Sequence, residues 1–213
     1  MKFKLFKADG SPDGDKDIKS FPTLEEGKGV DALRQAIIAV HANNRQGNAS
    51  TKVRSEVNGS GKKIYRQKGL GVGRAGDKKA IQRRGGGVAF GPRPRSYNQK
   101  LNKKIKRLAM ERALIDQACA ENIFLIEDWS VAEPKTKLFK ALIGSIAPNS
   151  KKVLAIGDAF DDKFALAARN LSTARLGRAQ DLSPLDIVQS DQIVVSLKGL
   201  DVILAKFGKE ESK

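Results

Sequence analysis

Apolar and polar positions follow different rhythms along the 213 residues, and one long central stretch has no rhythm at all. Phe3 and Leu5 alternate with lysines in Met1–Lys7, which predicts a short edge strand, and the following DGSPDGD reads as turns. From Val30, the residues Val30, Leu33, Ile37 and Val40 recur at spacings of three and four, the mark of a helix with one buried stripe. His41, at the edge of that stripe, reads as a packed or partly exposed side chain rather than a ligand. Gln46-Gly47 is a helix-stop signal. A second helix is predicted from about Leu101 to Glu121, with Leu101, Ile105, Leu108, Ile115 and Cys119 on one face. On that face Cys119 reads as a small core hydrophobe.

Beyond Glu121 the rhythm changes again. IFLIEDW (123–129), KVLAIGD (152–158), TARL (173–176) and QIVVS (192–196) are short apolar or β-branched runs. Helical candidates lie near 135–146, 160–170, 183–188 and 199–207. Strands alternating with helices predict an α/β fold, a mostly parallel sheet of about four strands flanked by helices. The final KEESK (209–213) reads as a frayed tail. The expected organisation is therefore one globular domain from residues 1–46 and 101–213, with residues 47–100 inserted between two helices as a long, extended, basic loop.

Charge sharpens the view of that insertion. Ser50–Arg107 holds 18 of the 40 Lys and Arg and only Glu56 and Asp77 of the 24 acids, so the rest of the chain carries 22 of each and is neutral. Ten of the 20 glycines fall there too. Each raises the entropic cost of ordering the backbone by roughly 0.5–1 kcal/mol relative to alanine, and few large apolar side chains offset it. The expectation is a segment ordered from outside, and closely spaced positive charge among small residues suits a polyanion. A single cysteine excludes an intrachain disulfide or a multi-cysteine zinc site. No apolar run approaches the roughly 18 residues of a membrane span, and the N-terminus lacks signal- or transit-peptide character. A cytoplasmic protein that binds nucleic acid, contacts no membrane and needs no cofactor is expected.

Gly71, Gly73 and Gly76 match G-x-G-x-x-G, but no strand precedes them and no helix follows. Gly61-Lys62 is no P-loop, because Lys63 stands where Ser or Thr belongs. Asp158, Asp161 and Asp162, at the carboxyl end of a predicted strand, are the residues with which a metal-dependent nucleic-acid-processing enzyme would work. Helix initiation explains them more simply, and a non-enzymatic binder is preferred. Lys52, Arg54, Lys62, Lys63, Arg66 and Lys68 are candidate phosphate ligands, as are Arg74, Lys78, Lys79, Arg83 and Arg84. Pro92 and Pro94 stiffen GPRPR and would hold Arg93 and Arg95 outward. Lys100, Lys103, Lys104 and Arg107 extend the basic surface onto the second helix. Tyr65, Phe90 and Tyr97 are placed to stack on unpaired bases.

TKVRSEVNGSGKK (51–63), YRQKGLG (65–71), GGGVAFGPRPRSYNQKLNKK (85–104), AEPKTK (132–137) and AARNL (167–171) together resemble the universal large-subunit ribosomal protein L-four family, in its bacterial form. The resemblance implies a parallel α/β domain on the outside of the large subunit and a loop threading through ribosomal RNA to the nascent-peptide exit tunnel. It implies a tunnel-lining tip at Arg66, Gln67, Lys68 and Gly69. Implied partners are large-subunit ribosomal RNA, neighbouring ribosomal proteins including the other tunnel-lining one, and the nascent peptide. Some members of that family also bind their own messenger leader. The chain departs from the family pattern at Ile64-Tyr65, where Pro-Trp is common, and at Leu70, where Thr is common.

Overall fold

Six strands form where the sequence can bury alternate side chains or borrow a neighbour's backbone. They are β1 (Lys2–Phe6), β2 (Pro12–Asp17), β3 (Ile123–Ile126), β4 (Val153–Gly157), β5 (Ala174–Arg178) and β6 (Gln192–Ser196). The helices are α1 (Val30–Asn43), α2 (Lys103–Cys119), α3 (Thr136–Ile146), α4 (Asp162–Arg169), α5 (Pro184–Val188) and α6 (Leu197–Phe207). The structure is a computed structural model and describes residues 1–131, 133–148 and 150–207; the expected tail at 209–213 lies outside them. The chain separates into two compact units, Met1–Val40 with Lys100–Lys213, and His41–Gln99.

The first unit is built on one sheet of order β2-β1-β3-β6-β4-β5. All neighbours are parallel except β1 and β2. Strand alternation splits the core cleanly. Leu125, Leu154, Ile156, Ile193 and Val195 face one side with Leu114, Ile115, Ile187 and Ile203. Phe124, Ile126, Val153, Ala155 and Val194 face the other with Phe139, Ile143 and Phe164. Helices α2, α5 and α6 thus cover one face, and α3 and α4 the other. Each fully buried Leu, Ile, Val or Phe contributes about 1.5–3 kcal/mol of transfer free energy. In the second unit only Ala75 and Ala80 are buried apolar side chains.

The sheet has six strands rather than about four. DGSPDGD (9–15), read as turns, runs into β2, which pairs through its backbone with β1 while every one of its side chains stays exposed. With no face to bury, β2 has no alternation to read. Its acids and Pro12 also suit an edge that must not recruit another strand. Consequently β1 is not an edge strand but lies between β2 and β3. Cys119 is exposed, not core, and the buried positions of α2 are Ala109, Ala113, Leu114 and Ile115. In α1 the buried residues are Ala36 and Ala39, while Val30 is exposed. In both helices the closest packing falls on small side chains, which a pattern of large apolar residues does not register.

Candidate nucleic-acid interface

Between Asn43 and Lys103 the chain forms neither helix nor strand. Its two limbs are instead joined at intervals. Asn43 Nδ2 donates to the Gln99 carbonyl (3.3 Å) while its Oδ1 accepts the Gln99 N–H (2.7 Å). Further on, Arg95 N–H reaches Gly47 O (3.2 Å), Thr51 N–H reaches Pro92 O (3.1 Å) and Val88 N–H reaches Lys52 O (3.0 Å). Ile64 N–H bonds Gly76 O (3.0 Å), and the Tyr65 hydroxyl bonds Gly73 O. Two glycines permit this approach. Gly47 sits at φ +73°, and a Cβ on Gly87 would collide with the backbone nitrogen of Arg54.

Side chains brace the same limbs. The Tyr97 ring lies under the Arg45 guanidinium (3.9 Å) and the Arg95 guanidinium (4.5 Å). The hydrogen bond from Arg95, aided by both positive charges, holds the Tyr97 phenol below its ordinary pKa, although burial pulls the other way. Glu56 closes a second brace. Its Oε1 takes Arg93 (2.8 Å) and its Oε2 takes Val53 N–H (3.0 Å). Arg93's hydrogen bond is the main reason that the Glu56 carboxyl lies below its ordinary value.

Most of the basic residues singled out from sequence are exposed: Lys52, Arg54, Lys62, Lys63, Arg66 and Lys68, then Arg74, Lys78, Arg83 and Arg84. Lys79 is half-buried, and Arg93 and Arg95 are exposed but engaged by Glu56 and Tyr97. Phe90 is wholly exposed, whereas Tyr65 and Tyr97 are half-buried within the segment. At the far end, Arg66, Gln67, Lys68 and Gly69 are all exposed. Beside them Tyr65, Val72, Arg74, Arg83 and Arg84 line an open hollow of about 500 Å³. In the first unit, Lys100, Lys103 and Lys104 are exposed and Arg107 pairs with Glu111 (3.1 Å). Sequence reasoning missed Arg45 and Asn43, which meet Tyr97 and Gln99 across about fifty residues of chain. The density of cations there gave no sign of which ones are occupied internally.

The carboxyl edge of the sheet offers less. Asp161 occupies the N-cap position of α4 without a side-chain cap bond, Asp162 lies in the first turn, and Asp158 is exposed. Helix initiation therefore acts through charge at the helix start rather than through a cap hydrogen bond. Among the described residues no group of three or more His, Cys, Asp or Glu could hold a metal ion. Nearby, Lys198 donates to Asp128 (2.9 Å).

The family described as the Ribosomal protein L4/L1 family matches residues 24–205. A Cyanothece sp. protein named large ribosomal subunit protein uL4 is 43% identical over 180 residues, covering 83% of this chain and 84% of the relative. Proteins of the same name from Brevibacillus brevis and Staphylococcus haemolyticus are each 38% identical, over 92% and 91% of this chain and 93% of each relative. With its mostly parallel α/β sheet and its cross-braced basic segment, the chain belongs to the Ribosomal protein L4/L1 family.

Proposed function

We propose that this protein is a non-enzymatic structural component of the large ribosomal subunit in the bacterial cytoplasm. On this reading residues 47–100 form an RNA-penetrating insertion in a globular domain of residues 1–46 and 101–213. That insertion binds large-subunit ribosomal RNA and supports subunit assembly. Its tip, Arg66–Gly69, helps line the nascent-peptide exit tunnel, touching the nascent peptide and lying near the other tunnel-lining protein. Binding to its own messenger leader would use the same cationic surface. One observation carries the reading: 18 cations and two acids lie on a stretch mostly without helix, strand or apolar core. Such a stretch neutralises phosphates and follows the shape of its partner rather than imposing its own. The names of the relatives support the same assignment.

The test is a titration of the intact chain against large-subunit ribosomal RNA, with an unrelated structured RNA as competitor and salt as the variable. If six to ten phosphates are neutralised, affinity falls roughly 10³–10⁵-fold between about 50 and 200 mM salt. Replacing residues 59–95 by a short linker abolishes most of the selective binding. Equal affinity for both RNAs, or undiminished affinity after the deletion, would refute the reading.

A further inference from the structure

The two acids of the basic segment differ in one respect. Both Glu56 oxygens are engaged, by Arg93 and by the Val53 N–H. The Asp77 side chain is only 10% exposed, yet its Oδ1 is shut from solvent with no hydrogen-bond partner. The nearest cation to its Oδ2 is Arg54 Nε at 3.7 Å, an ion pair too long for a hydrogen bond. A buried carboxylate without donors is costly, so a group that brings donors is bound with advantage. Asp77 lines an open hollow of about 430 Å³ together with Val53, Arg54, Ser55 and Lys79. A bare cation is disfavoured by the two positive side chains in that wall. A ligand offering hydrogen-bond donors beside a phosphate suits all three charges at once.

Among RNA bases, guanine alone presents two adjacent donors, N1–H and the 2-amino group, on its Watson–Crick edge. Adenine and cytosine present one amino group beside an acceptor that a carboxylate repels, and uracil sets its single N–H between two acceptors. We propose that Asp77 reads the Watson–Crick edge of an unpaired guanine, with Arg54 and Lys79 taking the flanking phosphate. The proposal rests on the RNA-binding reading above. It requires the soft last torsion of aspartate to turn the carboxylate so that Oδ1, shut from solvent in the free chain, meets the hollow beside Oδ2. The Asp77 carbonyl accepts the Ala80 N–H (3.4 Å).

The experiment probes large-subunit ribosomal RNA bound to the full chain with kethoxal, which attacks guanine N1 and N2, alongside hydroxyl-radical footprinting of the backbone. The wild type is expected to shield one guanine that becomes as reactive as in free RNA with Asp77→Asn, while the backbone footprint stays in place. Replacing that guanine by inosine, which lacks the 2-amino group, should weaken wild-type binding about tenfold and Asp77→Asn binding less than about twofold. Unchanged shielding with Asp77→Asn, or an equal inosine penalty for both chains, overturns the proposal while leaving RNA binding intact. Loss of the whole backbone footprint with both Asp77→Asn and Asp77→Ser makes Asp77 a shape-holding residue and also overturns it. Absence of any wild-type footprint defeats the RNA-binding reading itself, and this proposal with it.

Discussion

Asp128 and Lys198 shift each other in opposite directions. The hydrogen bond from Lys198 holds the Asp128 carboxyl below its ordinary value, with a smaller contribution from the Trp129 N–H and burial opposing both. The same bond raises Lys198, and Asp158 adds to the rise. A depressed carboxyl contributes stability above its unfolded pKa that is lost as pH falls through the folded one. A raised lysine contributes below its unfolded pKa and loses it as pH rises through the folded one. The pair therefore acts across the neutral range and fades at both extremes. Both side chains are largely exposed, so solvent screening keeps the effect small. Urea unfolding of Asp128→Asn should show a lower midpoint than wild type at neutral pH, with the gap closing in strong acid. Tyr97 gives a second expectation at this scale. Its phenol should titrate at lower pH than an ordinary tyrosine in an ultraviolet-absorbance titration, and the Arg95→Met variant should move it back toward the ordinary value.

Helix α2 carries a conflict between folding and binding. Its first turn is Lys103, Lys104, Ile105 and Lys106, with no acid there and no side-chain cap on Asn102. Cations at a helix N-terminus oppose the macrodipole, each by about 0.3–1 kcal/mol, whereas a phosphate at the same place is favoured. Lys103→Glu with Lys104→Glu should thus stabilise the free chain by about 1–2 kcal/mol in chemical denaturation and weaken its binding to ribosomal RNA. The Gly87→Ala change acts on the other unit, where a Cβ would push Lys52–Arg54 away from Val88. Amide exchange at Val88 should accelerate markedly, with exchange in β3, β4 and β6 unchanged. Elements were readable where the residues obey a period: β3, β4 and β6 lie where apolar or β-branched runs predicted them, because two covered faces demand such side chains, and the edge strand β5 overlaps the shorter run at 173–176. β2 was not readable, since its order comes from β1's backbone, nor was Cys119's exposure, since burial along α2 ends at Ile115, one turn before it.

At the scale of the whole molecule, stability and charge reside in different places. The large buried side chains all lie outside His41–Gln99, while that unit supplies most of the local positive excess. Replacing residues 59–95 by a linker should shift the thermal midpoint, read by circular dichroism, by no more than a few degrees while the salt-dependent affinity for RNA collapses. The basic character of the segment was legible in the sequence because charge is a sum over residues. Which cations are held internally was not, because Arg45 with Tyr97, Glu56 with Arg93 and Arg54 with Asp77 are pairings between distant positions. The limbs between Gly47 and Arg95 touch at separate rungs rather than along a pleated ladder. In a β-hairpin one inserted residue reverses the facing of every side chain beyond it. Here there is no facing to reverse, so an insertion among residues 66–72 would be absorbed above the Ile64–Gly76 rung. The root can stay fixed while the tip is free to vary in length, and reach can evolve separately from anchorage.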